Sequence, residues 1–212
     1  MVFQPDLAKL SLTAYRELLR HQNLLPSRRM LLEGLEEKFA RLQALEIHTV
    51  AALLRALSTF AKVESTAAAA GIPVNYLKVL KREAGALLPK PIPLRDFPGL
   101  PPEQLAALET EGIQTSKAYC EAGRKPGGEL YSLCNLARIN GVGANAAKLL
   151  FDAGYRSPAD VAAATAEAML AQIAADNAAH RYYQGTLGLK DVQFCIDMAT
   201  LLEHCCRQTN TY

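Results

Sequence analysis

Apolar side chains recur at three- and four-residue intervals along most of this 212-residue chain, the spacing of one face of an α-helix. The pattern predicts a first amphipathic helix that starts near Leu7 and ends before Pro26, and a second helix that begins after an N-cap at Ser27. Further helices are predicted over 49–57, 60–70 and 74–84. No segment alternates apolar and polar residues for long enough to require a β-strand. The second helix would bury one stripe, made of Met30, Leu31, Leu35, Phe39 and Leu42.

Two segments interrupt the helical pattern. Residues 87–99 hold four prolines, and residues 121–129 are rich in glycine and basic at their centre. Because proline lacks the amide hydrogen that a helix interior needs, we expect the first segment to be an ordered connector. We place a domain boundary there, between an N-terminal helical half over 1–90 with a degenerate repeat and a C-terminal half over 91–212.

The C-terminal half contains an internal repeat. A shift of 42 residues places FPGLPPEQLAALETEGIQT on INGVGANAAKLLFDAGYRS without a gap, so that Gly99 falls on Gly141 and Gly112 falls on Gly154. The first glycine of each pair suits a tight corner, and the second suits the end of a helix. The pattern predicts two copies of one helical hairpin, near residues 94–123 and 136–165. A weaker echo, LQALEIHT, ends at Thr49.

The segment INGVGANAAKLL, residues 139–150, has three interpretations. As GxGxxA it is close to a dinucleotide-binding fingerprint, which requires a preceding strand and a second strand that ends in an acidic residue. The apolar residues before the segment recur at every third position and residues 157–173 are Ala-rich, so both flanks are predicted to be helical. Two interpretations remain: a corner between helices that binds a phosphate, and a corner that only allows two helices to pack.

The phosphate interpretation follows from the properties of a helix N-terminus. Gly141 would supply a residue of positive φ, Val142 would point into the core, and Gly143 would leave room for another molecule. A helix that begins near Ala144 would direct free amide groups outward at the positive end of its dipole. The candidate nucleic-acid site comprises these four residues and the polar side chains beside them: Arg138, Gly141, Val142, Gly143, Ala144, Asn145 and Lys148.

Residues 139–150 also fill every position of the pattern apolar-x-Gly-apolar-Gly-x-x-x-Ala-x-x-apolar. In this they resemble the helix-hairpin-helix motif of DNA repair and recombination proteins, and residues 94–173 resemble an uncharacterised bacterial family of tandem helix-hairpin-helix domains. The resemblance implies an all-α fold of tandem helix-hairpin-helix repeats in a compact multi-helix array. It also implies that hairpin amides bind one backbone phosphate of DNA regardless of base sequence.

The first copy departs from this pattern. Pro101 and Pro102 stand where the second copy has Gly143 and Ala144, so two amide donors are missing. Glu103 adds a negative charge at the same place. We therefore expect only the second copy to bind phosphate.

Composition restricts the function further. The net charge is +2, from 23 basic and 21 acidic residues, whereas dedicated nucleic-acid binders are usually far more basic, so any nucleic-acid site must be local. Arg124, Lys125 and Arg156 would extend a small basic patch. No apolar run approaches the roughly 18–20 residues that cross a bilayer, and the N-terminus lacks the pattern of a signal peptide. We expect a cytoplasmic protein without membrane contact.

Candidate chemistry elsewhere is sparse. The five cysteines are odd in number and include no CxxC pair, so we expect reduced thiols, no metal and no cofactor. Cys195 and residues 204–206, His-Cys-Cys, would be half of a metal site at most. The segment HRYYQG, residues 180–185, suits either stacking on single-stranded bases or tyrosines half-buried at a helix end.

No nucleophile and base stand at a recognisable spacing, and no pair of carboxylates suggests a nuclease. We therefore expect no enzyme. The expected function is a non-catalytic, sequence-independent DNA-binding accessory module that binds weakly through the second hairpin. The alternative is a protein–protein interaction scaffold in which the hairpins are purely structural.

Overall fold

The computed structural model describes residues 2–22, 24–185 and 187–206. These residues form an array of α-helices with two short 3₁₀ segments, Pro26–Leu32 and Leu94–Asp96, and contain no β-strand, so the all-α prediction is confirmed. In chain order the α-helices are α1 Leu12–His21, α2 Leu35–Gln43, α3 Val50–Ala56, α4 Phe60–Ala70, α5 Val74–Gly85, α6 Pro102–Thr110, α7 Ser116–Glu121, α8 Glu129–Leu136, α9 Ala144–Asp152, α10 Pro158–Ala162, α11 Ala166–His180 and α12 Leu189–Cys206.

The chain divides into two compact units. The N-terminal unit is residues 6–87, one continuous stretch of chain that contains α1–α5. The C-terminal unit combines residues 2–5 with the described residues from 88 onward, and it contains α6–α12. The start of the chain is therefore part of the C-terminal unit.

Two predicted helix boundaries in the N-terminal unit are wrong. The first helix begins at Leu12 rather than near Leu7, because the Ser11 hydroxyl caps it by accepting a hydrogen bond from the Ala14 amide at 3.0 Å. The second predicted helix is split into the 3₁₀ segment and α2 by Gly34, whose φ of +58° is left-handed. The predicted helices over 49–57, 60–70 and 74–84 are confirmed as α3, α4 and α5 to within one residue.

The core of the N-terminal unit is built from the apolar faces of its helices. The rings of Tyr15 and Phe39 are wholly buried, with centroids 6.3 Å apart. The Tyr76 hydroxyl donates to the carbonyl oxygen of Leu31 at 2.9 Å, which gives this buried polar group a partner. Four of the five residues in the predicted stripe are buried: Leu31, Leu35, Phe39 and Leu42.

Four helices in the described part of the chain end in one repeated hydrogen-bond motif. A residue in the left-handed conformation follows the helix, and the amide of the next, buried residue donates to the carbonyl five positions back, as in a Schellman motif. The left-handed residues are Glu46, Gly71, Gly112 and Gly154, and the buried residues after them are Ile47, Ile72, Ile113 and Tyr155. The repeat-like segment LQALEIHT, which ends at Thr49, contains the motif at Glu46. The sequence pattern did not predict the motif at Gly71.

In the C-terminal unit, α8 packs against α9, and α10 packs against α12. Leu133, Leu136 and Ala147 are wholly buried, and so is Val161 of α10. Phe3 is also wholly buried in this unit, at the start of the chain. Among the described residues no helix is long and apolar enough to cross a membrane.

Candidate nucleic-acid interface

The second corner, residues 139–144, connects α8 to α9. After α8 ends, the amides of Ile139 and Val142 donate to the carbonyls of Leu136 and Ile139, both at 3.0 Å. Gly141 has a φ of +89°, and the Val142 side chain is buried. The predicted turn at Gly141 and the predicted inward side chain of Val142 are therefore found at the positions that the pattern indicated.

The first corner, residues 97–102, shares several backbone features with the second corner. Gly99 has a φ of +79°, and α6 begins at Pro102 as α9 begins at Ala144. The amide of Phe97 donates to Leu94 at 3.2 Å, as that of Ile139 donates to Leu136. The caps correspond as well, since Thr115 caps α7 and Ser157 caps α10. The two segments thus share their turns, helix starts and caps.

The backbone and the packing of the protein require glycine at position 141. Its φ lies in the region that side chains rarely adopt, and a Cβ built there would lie 3.2 Å from Cε1 of Phe194 in α12. The side-chain nitrogen of the neighbouring Asn140 lies 3.7 Å from the sulfur of Met198, which is also in α12. Helix α12 therefore covers one side of the second corner.

Glycine at position 143 has no such requirement. Its φ of −86° and ψ of −177° are extended, a conformation open to any residue, and a Cβ built there would meet no atom of the described chain within 4 Å. At the equivalent position of the first corner, Pro101 is also extended, with a φ of −62° and a ψ of 134°. Six other helices in the described chain carry serine or threonine at the cap, with similarly extended backbone: Ser11, Thr49, Thr59, Thr115, Ser157 and Thr165.

The start of α9 consequently has no side-chain cap from the residues that the structure describes. The first amides of an α-helix have no partner within the helix and point out of its end. Gly143 and Asn145 are exposed and Ala144 is half-buried, whereas Ala147 is wholly buried and its amide donates to the Gly143 carbonyl at 2.8 Å. This arrangement leaves an open surface of amide groups that an anion can approach.

Lys148 forms ion pairs with two carboxylates and is largely shielded from solvent. Its ammonium lies 2.8 Å from Glu129 and 2.7 Å from Asp152, and only 12% of its side chain is exposed. Burial lowers its pKa, but the two carboxylates outweigh that effect and raise the pKa above its ordinary value. Its Cε lies 3.7 Å from the Cβ position of Gly99, so the side chain runs toward the first corner. The charge predicted for phosphate binding is already compensated.

Arg138 is buried, with 7% of its surface exposed. Its guanidinium donates to the Phe3 carbonyl at 3.2 Å, to the Asn135 side-chain oxygen at 2.7 Å and to the Cys206 sulfur at 2.9 Å. It fixes the start of the chain to the end of α12. This residue therefore offers no exposed charge beside the second corner.

The other predicted cations are dispersed. Arg124 forms an ion pair with Glu111, and Lys125 is exposed. Arg156 is exposed, and its guanidinium carbon lies 3.7 Å from the ring centroid of Phe151. The sequence pattern placed Arg156 after the hairpin and gave no sign of its contact with Phe151, because the two residues lie on either side of the helix end.

Cys120, Cys134 and Cys205 are buried, and Cys195 and Cys206 are half-buried. Burial raises the pKa of Cys120 to about 11 and of Cys195 to about 12, and it raises the pKa of Cys134 even further. These three thiols are therefore protonated at neutral pH. Within residues 2–22, 24–185 and 187–206, no group of three or more His, Cys, Asp or Glu side chains is arranged to hold a metal ion.

Comparison with known proteins gives one match. Residues 98–202, slightly under half of the chain, match the model of a domain of unknown function, DUF4332. The matched region begins just before Gly99 of the first corner and ends near the end of α12, so it contains both corner glycines. No curated protein matches the chain, and no solved structure matches it.

Proposed function

We propose that residues 94–123 and 136–165 are paired helix-hairpin-helix motifs, and that the second corner binds one backbone phosphate of DNA regardless of sequence. The observation that carries this proposal is Gly143. Glycine lowers stability relative to residues with a side chain, yet neither the backbone nor the packing of the described chain needs it there. A molecule that approaches from outside explains the glycine, and uncapped amides at a positive helix end suit a phosphate oxygen.

The amides would supply this binding, with little help from side-chain charge. Lys148 is paired with Glu129 and Asp152, and Arg138 is buried. We therefore expect affinity in the non-specific range of roughly 10⁻⁴–10⁻⁶ M, and a slope of log K against log salt no steeper than about −0.9, the value for one phosphate. Such a site suits an accessory module that performs no catalysis.

The test exchanges the two corners. Gly143→Pro together with Ala144→Pro copies the residues of the first corner into the second and removes two amide donors, and Pro101 and Pro102 occupy the same positions at the start of α6. The reciprocal control, Pro101→Gly with Pro102→Ala, leaves the second corner intact. Circular dichroism establishes that both variants fold, and fluorescence anisotropy measures binding to a labelled duplex of about 20 base pairs, several times the reach of one contact, at low and moderate salt.

We expect salt-sensitive binding by the wild type and the control, and at least a tenfold weaker affinity for the corner variant. Equal affinity of the corner variant and the wild type would refute phosphate binding at this corner. The second candidate function is a protein–protein interaction scaffold, and the internal pairing of Lys148 and the burial of Arg138 favour it. Absence of DNA binding by the wild type at low salt would leave that candidate.

A further inference from the structure

The C-terminal end of α9 carries two stacks of flat groups. In the first stack, the Arg156 guanidinium lies over the Phe151 ring at 3.7 Å. In the second, the rings of His180 and Tyr182 are nearly parallel, with centroids 5.3 Å apart and an angle of 8° between their planes. We call these four residues the stacking cluster.

Asp152 is the last residue of α9, next to Phe151, and it interacts electrostatically with the second stack. Burial raises the pKa of Asp152, but Lys148, Tyr182 and His180 outweigh this effect and hold the pKa below its ordinary value. The segment 180–185, which the site at the second corner does not use, therefore lies near the end of α9.

The exposed groups of the cluster are suited to flat partners. Arg156 and His180 are exposed, while Phe151 and Tyr182 are half-buried and support them from below. Within the described residues the Arg156 side chain forms no ion pair, and its guanidinium is a plane on which a base can stack. The two carboxylates of Glu129 and Asp152 outnumber the single positive charge of Lys148, so this group offers no net positive charge to attract phosphate.

We infer that the stacking cluster binds unpaired nucleobases, so that the ligand of the C-terminal unit is single-stranded nucleic acid. The inference rests on the proposed function, because the phosphate at the second corner would fix the strand. Helix α9 has nine residues and is therefore about 13 Å long, which matches roughly four stacked nucleotides at about 3.4 Å each. A duplex hides its base faces, so only a single strand can use both sites.

Two ligands of equal phosphate content separate stacking from phosphate binding. We would measure anisotropy with a labelled oligothymidylate of about 12 nucleotides and with an abasic phosphodiester chain of the same length, beside a duplex of that length. Arg156→Lys retains the charge but lacks the planar guanidinium, and His180→Ala removes the outer ring of the second stack. Arg95→Lys is the matched control, since Arg95 is 84% exposed.

We expect the wild type and Arg95→Lys to bind oligothymidylate about 5- to 100-fold more tightly than the abasic chain. Arg156→Lys and His180→Ala should each lose most of this preference and bind the abasic chain as the wild type does. Equal, salt-sensitive binding of the two chains by the wild type would overturn base stacking and leave the proposed phosphate site standing. Tighter binding of the duplex would also overturn it, and no binding of any ligand would overturn both proposals.

Discussion

Replacing Gly143 with serine distinguishes a corner that binds a ligand from a corner that only joins helices. The backbone at position 143 is extended, as it is at the six serine and threonine caps named above, and no atom of the described chain lies within 4 Å of the new Cβ. The serine hydroxyl can therefore accept a hydrogen bond from an amide in the first turn of α9. It would also occupy the position that we assign to a phosphate oxygen.

The expected gain in stability has two parts. A serine cap is better than a glycine cap by a few tenths of a kcal/mol, and loss of the glycine's freedom in the unfolded chain adds about 0.4–1 kcal/mol. The free energy of unfolding should therefore rise by about 1 kcal/mol, which is about 2–4 °C in the thermal midpoint for a chain of this size. Far-ultraviolet circular dichroism measures the midpoint, and anisotropy with a labelled single strand measures the affinity.

Phosphate binding predicts that stability and affinity change in opposite directions: Gly143→Ser is more stable and binds at least several-fold more weakly. Gly143→Ala is the control for the added Cβ without the hydroxyl, and its stability should change by less than about 0.5 kcal/mol because lost cap quality offsets lost chain freedom. A Gly143→Ser variant that is more stable and binds as the wild type does would refute our explanation of the glycine. A less stable variant would refute the geometry on which it rests.

Three further substitutions test the surroundings of the site by thermal or urea unfolding. Gly141→Ala should cost about 1–3 kcal/mol, because its φ is left-handed and Phe194 must move; an unchanged midpoint would contradict this. Lys148→Met should cost about 1–3 kcal/mol at neutral pH. Because the folded-state pKa of Asp152 is lowered, this difference is present above about pH 4 and should shrink as the pH falls further; a difference independent of pH would argue against the pair. Phe3→Ala should cost about 3–5 kcal/mol, and a cost below about 1 kcal/mol would contradict its burial.

Local features of this fold could be predicted from the sequence. The corner at Gly141, the inward side chain of Val142 and the start of α9 all follow from the pattern of residues 139–150. The end of the 3₁₀ segment before Gly34 was not predicted, because an isolated glycine inside an apolar stripe does not indicate that its backbone is left-handed. Short-range patterns thus indicate where helices are, and less reliably where they stop.

Not all contacts of the charged residues in the candidate site could be predicted in this way, because some of their partners are distant in sequence. Asp152 lies four residues after Lys148, and that pair could have been expected from helical spacing. Glu129 is on the preceding helix, and Phe3 is 135 residues from Arg138, so neither contact leaves a sequence signal. The contacts with Glu129 and Phe3 decide whether Lys148 and Arg138 face a ligand or the protein.

The placement of Phe3 in the C-terminal unit also sets an order of events during synthesis. The N-terminal unit is continuous over residues 6–87, so all of its chain has been made before the rest of the second unit begins. Phe3 is synthesised before that unit, yet the arginine that binds its carbonyl is added 135 residues later. At about 5–20 residues per second this delay is roughly 7–27 s. The apolar side chain of Phe3 therefore lacks its native partner Arg138 while the whole N-terminal unit is synthesised.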